Sequence, residues 1–250
     1  MKRTLFILFA VISLSSCKTK KASTVVAPQN KGESIIQQAI EAHGGKKYET
    51  AHYSFTFRKK QYTFRNNGNQ YEYSVIGKKD GKTTKDVMDN DGMTRQIDGQ
   101  SIPLTKDEQY RFSQGVNSVI YFATLPHKLK DKSVNKNHIG KTSIKGKNYE
   151  VVQVTFDEAG GGKDHDDQYH YWINTETHLI DYLAYNYTVN KGGVRFRSAY
   201  NTRRIDGIIF QDYINFKATV GTPLIDLPKL YEADQLEQLS LIETGNVVKL

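Results

Sequence analysis

The 250 residues contain one cysteine, Cys17, and one tryptophan, Trp172. A lone thiol closes no intrachain disulfide. No apolar run approaches the roughly 20 residues that a membrane-spanning helix needs. HExxH, EF-hand spacing and the GxSxG elbow are all missing, and the seven histidines show no catalytic spacing. There is no internal repeat, and past residue 32 no second linker-like stretch divides the chain. These absences exclude a disulfide scaffold, a helical membrane protein, a repeat array and the motif-bearing hydrolases.

What is present begins at the N-terminus. Lys2 and Arg3 make a positive start, followed by the apolar stretch Leu5 to Leu14. That length suits a signal-peptide core and is too short to span a bilayer. The stretch ends in Leu14-Ser15-Ser16-Cys17, which resembles the bacterial lipobox. The resemblance implies export, cleavage before Cys17, and lipid attachment on that cysteine. Residues 1–16 are then a signal peptide. A multiply acylated cysteine anchors stably, since each buried CH₂ adds about 0.8 kcal/mol.

Residues 17–32 read as the lipidated cysteine and a flexible tether, polar and without period. Residues 33–250 read as a single β-rich domain. The formal charge is +8, and removing Lys2 and Arg3 leaves +6. A modest, scattered excess on an exported chain points to an anionic membrane surface rather than nucleic acid, with Lys18, Lys20 and Lys21 beside the anchor. A solvated tether explains those lysines equally well.

Sixteen tyrosines and eleven phenylalanines favour extended sheets. Ser34 to His43 reads as a helix, with Ser34 and Gln37 as a capping box, an apolar stripe from Ile35 to Ile40, and Gly44-Gly45 as its stop. Tyr53, Phe55 and Phe57 then share one strand face, with Arg58 on the other. A turn or bulge falls near Lys59 to Gln61. Asn66 to Asn69, Asp80-Gly81, Asp91-Gly92, Asp98-Gly99 and Asp206-Gly207 are turn signals. Thr105 with Glu108 caps a helix through residues 105–123, which Gly115 can divide and Leu125-Pro126 ends. A long meander follows, with alternation at Val152-Val154-Phe156, at Tyr169-Tyr171-Ile173, from Leu179 to Val189, and at Val194-Phe196-Tyr200. Tyr231 to Leu239 reads as a final helix and Val247-Val248 as a last strand. Short hairpin connections exclude parallel pairing. The expected fold is mainly antiparallel β with a few helices (α+β), as a strongly curved sheet or incomplete β-barrel packed by helices.

Several segments together resemble an uncharacterised bacterial lipoprotein family, DUF6503. They are Ala42-His43-Gly44-Gly45 with Tyr48, Tyr53 to Arg58, Tyr121-Phe122-Ala123 with Leu125-Pro126, Tyr171 to Asn174 with Thr177, Gly192 to Arg197 with Tyr200-Asn201, and Phe210 to Tyr213. The strand–helix–strand plan is also similar to the LolA/LolB lipoprotein carriers. That likeness implies a hollow able to hold an acyl chain, and it brings no catalytic residues.

Three local features carry candidate chemistry. Gly160 to Asp167 with His170 places carboxylates and imidazole together, which suits a divalent cation; a polar hairpin explains the same residues and is preferred. Arg195 and Arg197 share a strand face and can clamp a carboxylate or phosphate head, although Asp212 or Asp181 can neutralise them across the sheet, the favoured reading. Trp172 can line a ligand hollow or belong to the core.

The leading expectation is a non-enzymatic, lipid-anchored protein, monomeric and without cofactor or metal, at the outer membrane and facing the periplasm. Its concave face would hold a lipid or other apolar ligand through Trp172, Arg195 and Arg197. The alternatives are a metal-dependent periplasmic enzyme using the Asp164–His170 cluster and a structural partner in an envelope complex.

Overall fold

The computed structural model describes residues 30–157, 167–188 and 191–250. The first helix, α1, spans Lys31–His43, one turn earlier than the capping-box reading of Ser34 and Gln37. Its N-cap is Asn30, whose side chain accepts from the Gly32 amide. The sequence pattern missed this start because Lys31-Gly32 resembles a linker. Gly32 is there for close approach: a Cβ on it would lie 2.4 Å from the Lys136 carbonyl oxygen. Gly44, at φ 148°, ends the helix. Ile35, Ile36, Ala39 and Ile40 are buried, and each buried isoleucine contributes about 2 kcal/mol.

Six strands then form a meander: β1 (His52–Phe57), β2 (Lys60–Asn67), β3 (Gln70–Lys79), β4 (Lys82–Asp89), β5 (Gly92–Ile97) and β6 (Gln100–Ile102). Arg58 and Lys59 make the first hairpin turn, at φ 48° and 62°, without a glycine. The two-residue turn explains the parity change seen in the sequence. It sets Phe55 opposite Tyr62 and Tyr53 opposite Phe64, stacking both pairs.

Helix α2 (Lys106–Ala123) crosses from this sheet to the next. Both halves of the Thr105–Glu108 capping box form, a device that contributes about 1 kcal/mol. Gly115 does not divide the helix; it is exposed and a Cβ there would meet nothing.

The second sheet holds β7 (Val134–Ile144), β8 (Lys147–Phe156), β9 (Tyr169–Asn174), β10 (Ile180–Tyr187), β11 (Gly193–Ile205) and β12 (Ile208–Ala218). A short helix, α3 (Leu227–Glu232), follows. The expected terminal helix over Tyr231 to Leu239 does not form: Tyr231 and Glu232 end α3, residues 233–236 turn, and Glu237 opens a strand, β13 (Glu237–Ile242), which adds to β12. The last strand, β14 (Gly245–Lys249), pairs instead with β1.

The strand orders are therefore β14-β1-β2-β3-β4-β5-β6 and β13-β12-β11-β10-β9-β8-β7, antiparallel throughout. Residues 243 and 244 stitch the two sheets, and they do not close into a barrel. This is the curved, largely antiparallel architecture that the turn spacing predicts. Helices α1 and α2 lie on the inner side. The outer side of the second sheet is covered by the 224–236 segment, with Leu224 and Leu227 packed on Trp172, Phe196 and Tyr182. β9 is consequently buried on both faces.

Candidate functional site

A cavity of about 220 Å³ lies between the two sheets, under α2. Each wall comes from a different element. Phe57 ends β1 and Arg58 begins the β1–β2 turn, and Ser118, Val119, Phe122 and Ala123 come from α2. Arg197 lies on β11, Gln211 and Tyr213 on β12, Ile242 on β13, and Thr244 on the stitch between the sheets. The surface is mainly aromatic and aliphatic. Its two charged residues are both arginines, and no carboxylate lines it.

The two arginines differ in exposure. Arg58 is exposed in its turn, while Arg197 is 7 % exposed. The Arg197 guanidinium stands 4.0 Å from the Phe122 ring centre. Its Nη2 donates to the Tyr185 hydroxyl at 2.9 Å, and its Nε is buried without an acceptor. Among the described residues no carboxylate forms an ion pair with Arg197. Cation–π contact returns about 2 kcal/mol when desolvated, whereas burying an unpaired ion costs several kcal/mol. The side chain is thus left with unmet demand for negative charge.

The carboxylates expected to neutralise it are engaged elsewhere. Asp212 holds Arg203 in a two-pronged pair at 2.6 and 3.0 Å, and also accepts from Asn201 and from the Thr244 amide. A bulge in β11 between Tyr200 and Arg203 brings Arg203, not Arg197, to Asp212. Asp181 accepts from the Tyr149 hydroxyl and the Asn174 side chain. Burial pushes the Asp212 carboxyl upward, but the bonds from Arg203, Thr244 and Asn201 outweigh it and leave the pKa below the usual carboxylate value. Burial also raises the Tyr213 hydroxyl, so it stays protonated.

An aromatic wall continues from the cavity across the inner face of the second sheet. Phe122 contacts Tyr185, which stacks on Tyr169 at 5.3 Å, and Tyr169 neighbours Tyr171. Tyr171 and Tyr121 share a hydrogen bond across this layer. The DUF6503 family, a family of unknown function, matches residues 3–244. The chain belongs to the DUF6503 family.

No curated protein matches the sequence. Among solved structures, a LolA superfamily protein from Nitrosomonas europaea aligns over 88 % of this chain and 93 % of its own, at 11 % identity and a TM-score of 0.50. A DUF1329 family protein from Desulfovibrio piger gives 88 % and 93 % coverage, 10 % identity and a TM-score of 0.45. The lipoprotein LppX from Mycobacterium tuberculosis gives 64 % and 89 %, 12 % identity and 0.31. This DUF6503 chain therefore has a LolA-like fold.

Within that fold the three sequence-derived ligand residues do not meet. Arg197 lines the cavity. Arg195 shares its face but donates to the Tyr187 hydroxyl and the Val194 carbonyl, and it is not in the lining. Trp172 is on the opposite face of the sheet, fully buried against Phe196, with its indole N–H unpartnered. Its strand parity left the face undecided, and the outer layer that covers it is built by distant residues.

The Gly160-to-Asp166 part of the acidic cluster, including Asp164 and Asp166, lies outside the described residues, as does Cys17. His170 is buried on the outer side near Trp172, and burial pushes its pKa down to about 4, so it is neutral. Among the described residues no three His, Cys, Asp or Glu side chains gather as a metal site. The sequence reading did not single out Arg58, Phe122, Gln211 or Tyr213 as site residues. Only the Phe57-Arg58 end of an alternating strand gave a signal, and it was read as strand rather than turn. No helix among the described residues is long and apolar enough to cross a membrane.

Proposed function

We propose that this protein is a non-enzymatic, membrane-anchored lipoprotein that shelters an apolar ligand between its two sheets. Cys17 is the anchor, the residues between it and α1 are the tether, and the folded part acts as a monomer in the cell envelope, at the outer membrane and facing the periplasm. The observation that carries the reading is the inter-sheet cavity: a mainly aromatic and aliphatic hollow edged by polar side chains, formed by both sheets and α2. The LolA-like fold supports the same view, although fold alone does not fix function.

The test has two arms. Cys17→Ala should move the protein out of the carbonate-washed membrane fraction. An environment-sensitive fatty-acid probe should bind the released protein saturably, and Val119→Trp, which fills the cavity, should weaken that binding at least tenfold. Retention of Cys17→Ala in washed membranes overturns the anchor. Absence of saturable binding for any apolar probe overturns the ligand reading.

A further inference from the structure

We propose that the cavity selects a single-chain amphiphile with an anionic head, carboxylate or phosphate, seated on the Arg197 guanidinium. This rests on the reading of the cavity as an apolar-ligand site and names the class of ligand it takes.

Three observations point the same way. First, Arg197 is a buried cation with an unfilled donor: Nε has no acceptor, only Nη2 is bonded, and that bond goes to a neutral hydroxyl. A planar guanidinium with free N–H groups matches the two oxygens of a carboxylate or phosphate. Secondly, among the described residues no anion is supplied there. Asp212 is held by Arg203 and Thr244, Asp181 faces Tyr149 and Asn174, and the lining contains no acidic residue. The second arginine, Arg58, is exposed at the same cavity and adds positive potential at its open side. Thirdly, the space is small. At about 220 Å³ it falls below the roughly 300–1,000 Å³ of sites for drug-sized ligands. One short chain beside Phe57, Val119 and Ile242 fits that volume; the several chains of a multiply acylated lipoprotein do not.

The experiment is calorimetric titration of the full chain held in lipid nanodiscs, with empty nanodiscs as the blank. The probes are octanoate, octyl phosphate, octanol and inorganic phosphate. At least one of the two charged amphiphiles should bind ten times or more tighter than octanol, and the tighter of the two identifies the head chemistry. Arg197→Gln should abolish that preference, so that octanol and the charged amphiphiles bind alike. Arg197→Lys, which keeps the charge and loses the planar fork, should fall between them, and a thermal melt of each variant confirms folding.

If octanol binds as tightly as the charged probes, or if Arg197→Gln keeps the preference, the anionic-head inference is overturned while the apolar cavity stands. Inorganic phosphate binding as tightly as octyl phosphate overturns it too, since the ligand is then a free anion. If neither octanol nor a charged amphiphile binds, the apolar-ligand reading falls with it.

Discussion

Arg197 and Arg203 lie six positions apart on the same strand and meet opposite fates. Arg203 reaches across a bulge to Asp212, and the pair is completed by Asn201 and by the amide and hydroxyl of Thr244. Every partner belongs to the protein, and Thr244 is the residue that carries the chain from the second sheet to the first. That cluster is a structural clamp. Arg197 sits against Phe122 and Tyr185 at the wall of a hollow, and among the described residues no acid pairs with it. One strand thus supplies a satisfied ion pair where the sheets are joined and an unsatisfied cation where they part. The first charge is matched within the protein; the second is the one that the proposed anionic head would match.

The largest effect should come from breaking the clamp. Asp212→Ala removes the carboxylate and leaves Arg203, which is only partly buried, beside an empty space. A loss on the order of 3 kcal/mol is expected, read as a lower midpoint in urea unfolding. The pH dependence follows from the same group. Its pKa is depressed in the folded state, so the carboxylate's contribution is present above the ordinary carboxylate range and fades as acid carries the pH down through the lowered folded value. Asp212→Asn should flatten the acid limb of the stability profile. An acid limb unchanged by Asp212→Asn would show that the clamp contributes nothing.

A substitution at the other arginine should act in the opposite direction. Arg197→Met removes an unpaired buried cation and puts an apolar chain of similar length against Phe122. Replacing a poorly compensated buried charge by an apolar side chain is often neutral or stabilising. The melting temperature of the ligand-free protein should hold or rise, equivalent to about 0–1 kcal/mol. A drop comparable to that of Asp212→Ala would mean that Arg197 is structural, and the contrast between the two sites would dissolve.

The two arginines also show how far the sequence is readable. Hairpins with Asp-Gly or Asn-Gly at their turns were legible, as was the Thr105–Glu108 cap, because those signals lie within four residues. The curved antiparallel plan followed from them. The Arg58-Lys59 turn showed only as a change of parity and was read slightly late, near Lys59 to Gln61, because its positive φ without glycine leaves no local signal. The start of α1 was hidden because Gly32 answers to the backbone at Lys136, more than a hundred residues away. The choice of partner for Asp212 depends on a bulge between Tyr200 and Arg203, and strand alternation carries no trace of it. The site inherits this last difficulty: alternation placed Arg195 and Arg197 on one face, but only the tertiary fold puts Arg197 at the cavity wall and Arg195 outside the lining.

The smallest expected effect concerns Trp172. The second sheet has two differently finished faces, and this residue marks the sealed one. Its ring packs edge-on to Phe196, under Leu224 and Leu227, while the cavity opens on the other side of the sheet beyond Arg197 and Tyr213. As the sole tryptophan it reports on one place only. Its emission should be blue-shifted and poorly quenched by iodide, and it should move little when an amphiphile fills the cavity. Arg197→Gln should leave it unchanged as well. Leu227→Ala, by contrast, thins the outer cover and should red-shift the emission while leaving amphiphile affinity within about twofold. A large emission change on ligand addition, with Leu227→Ala also weakening binding, would show that ligand occupies the outer layer, and the cavity under α2 would lose its claim as the site.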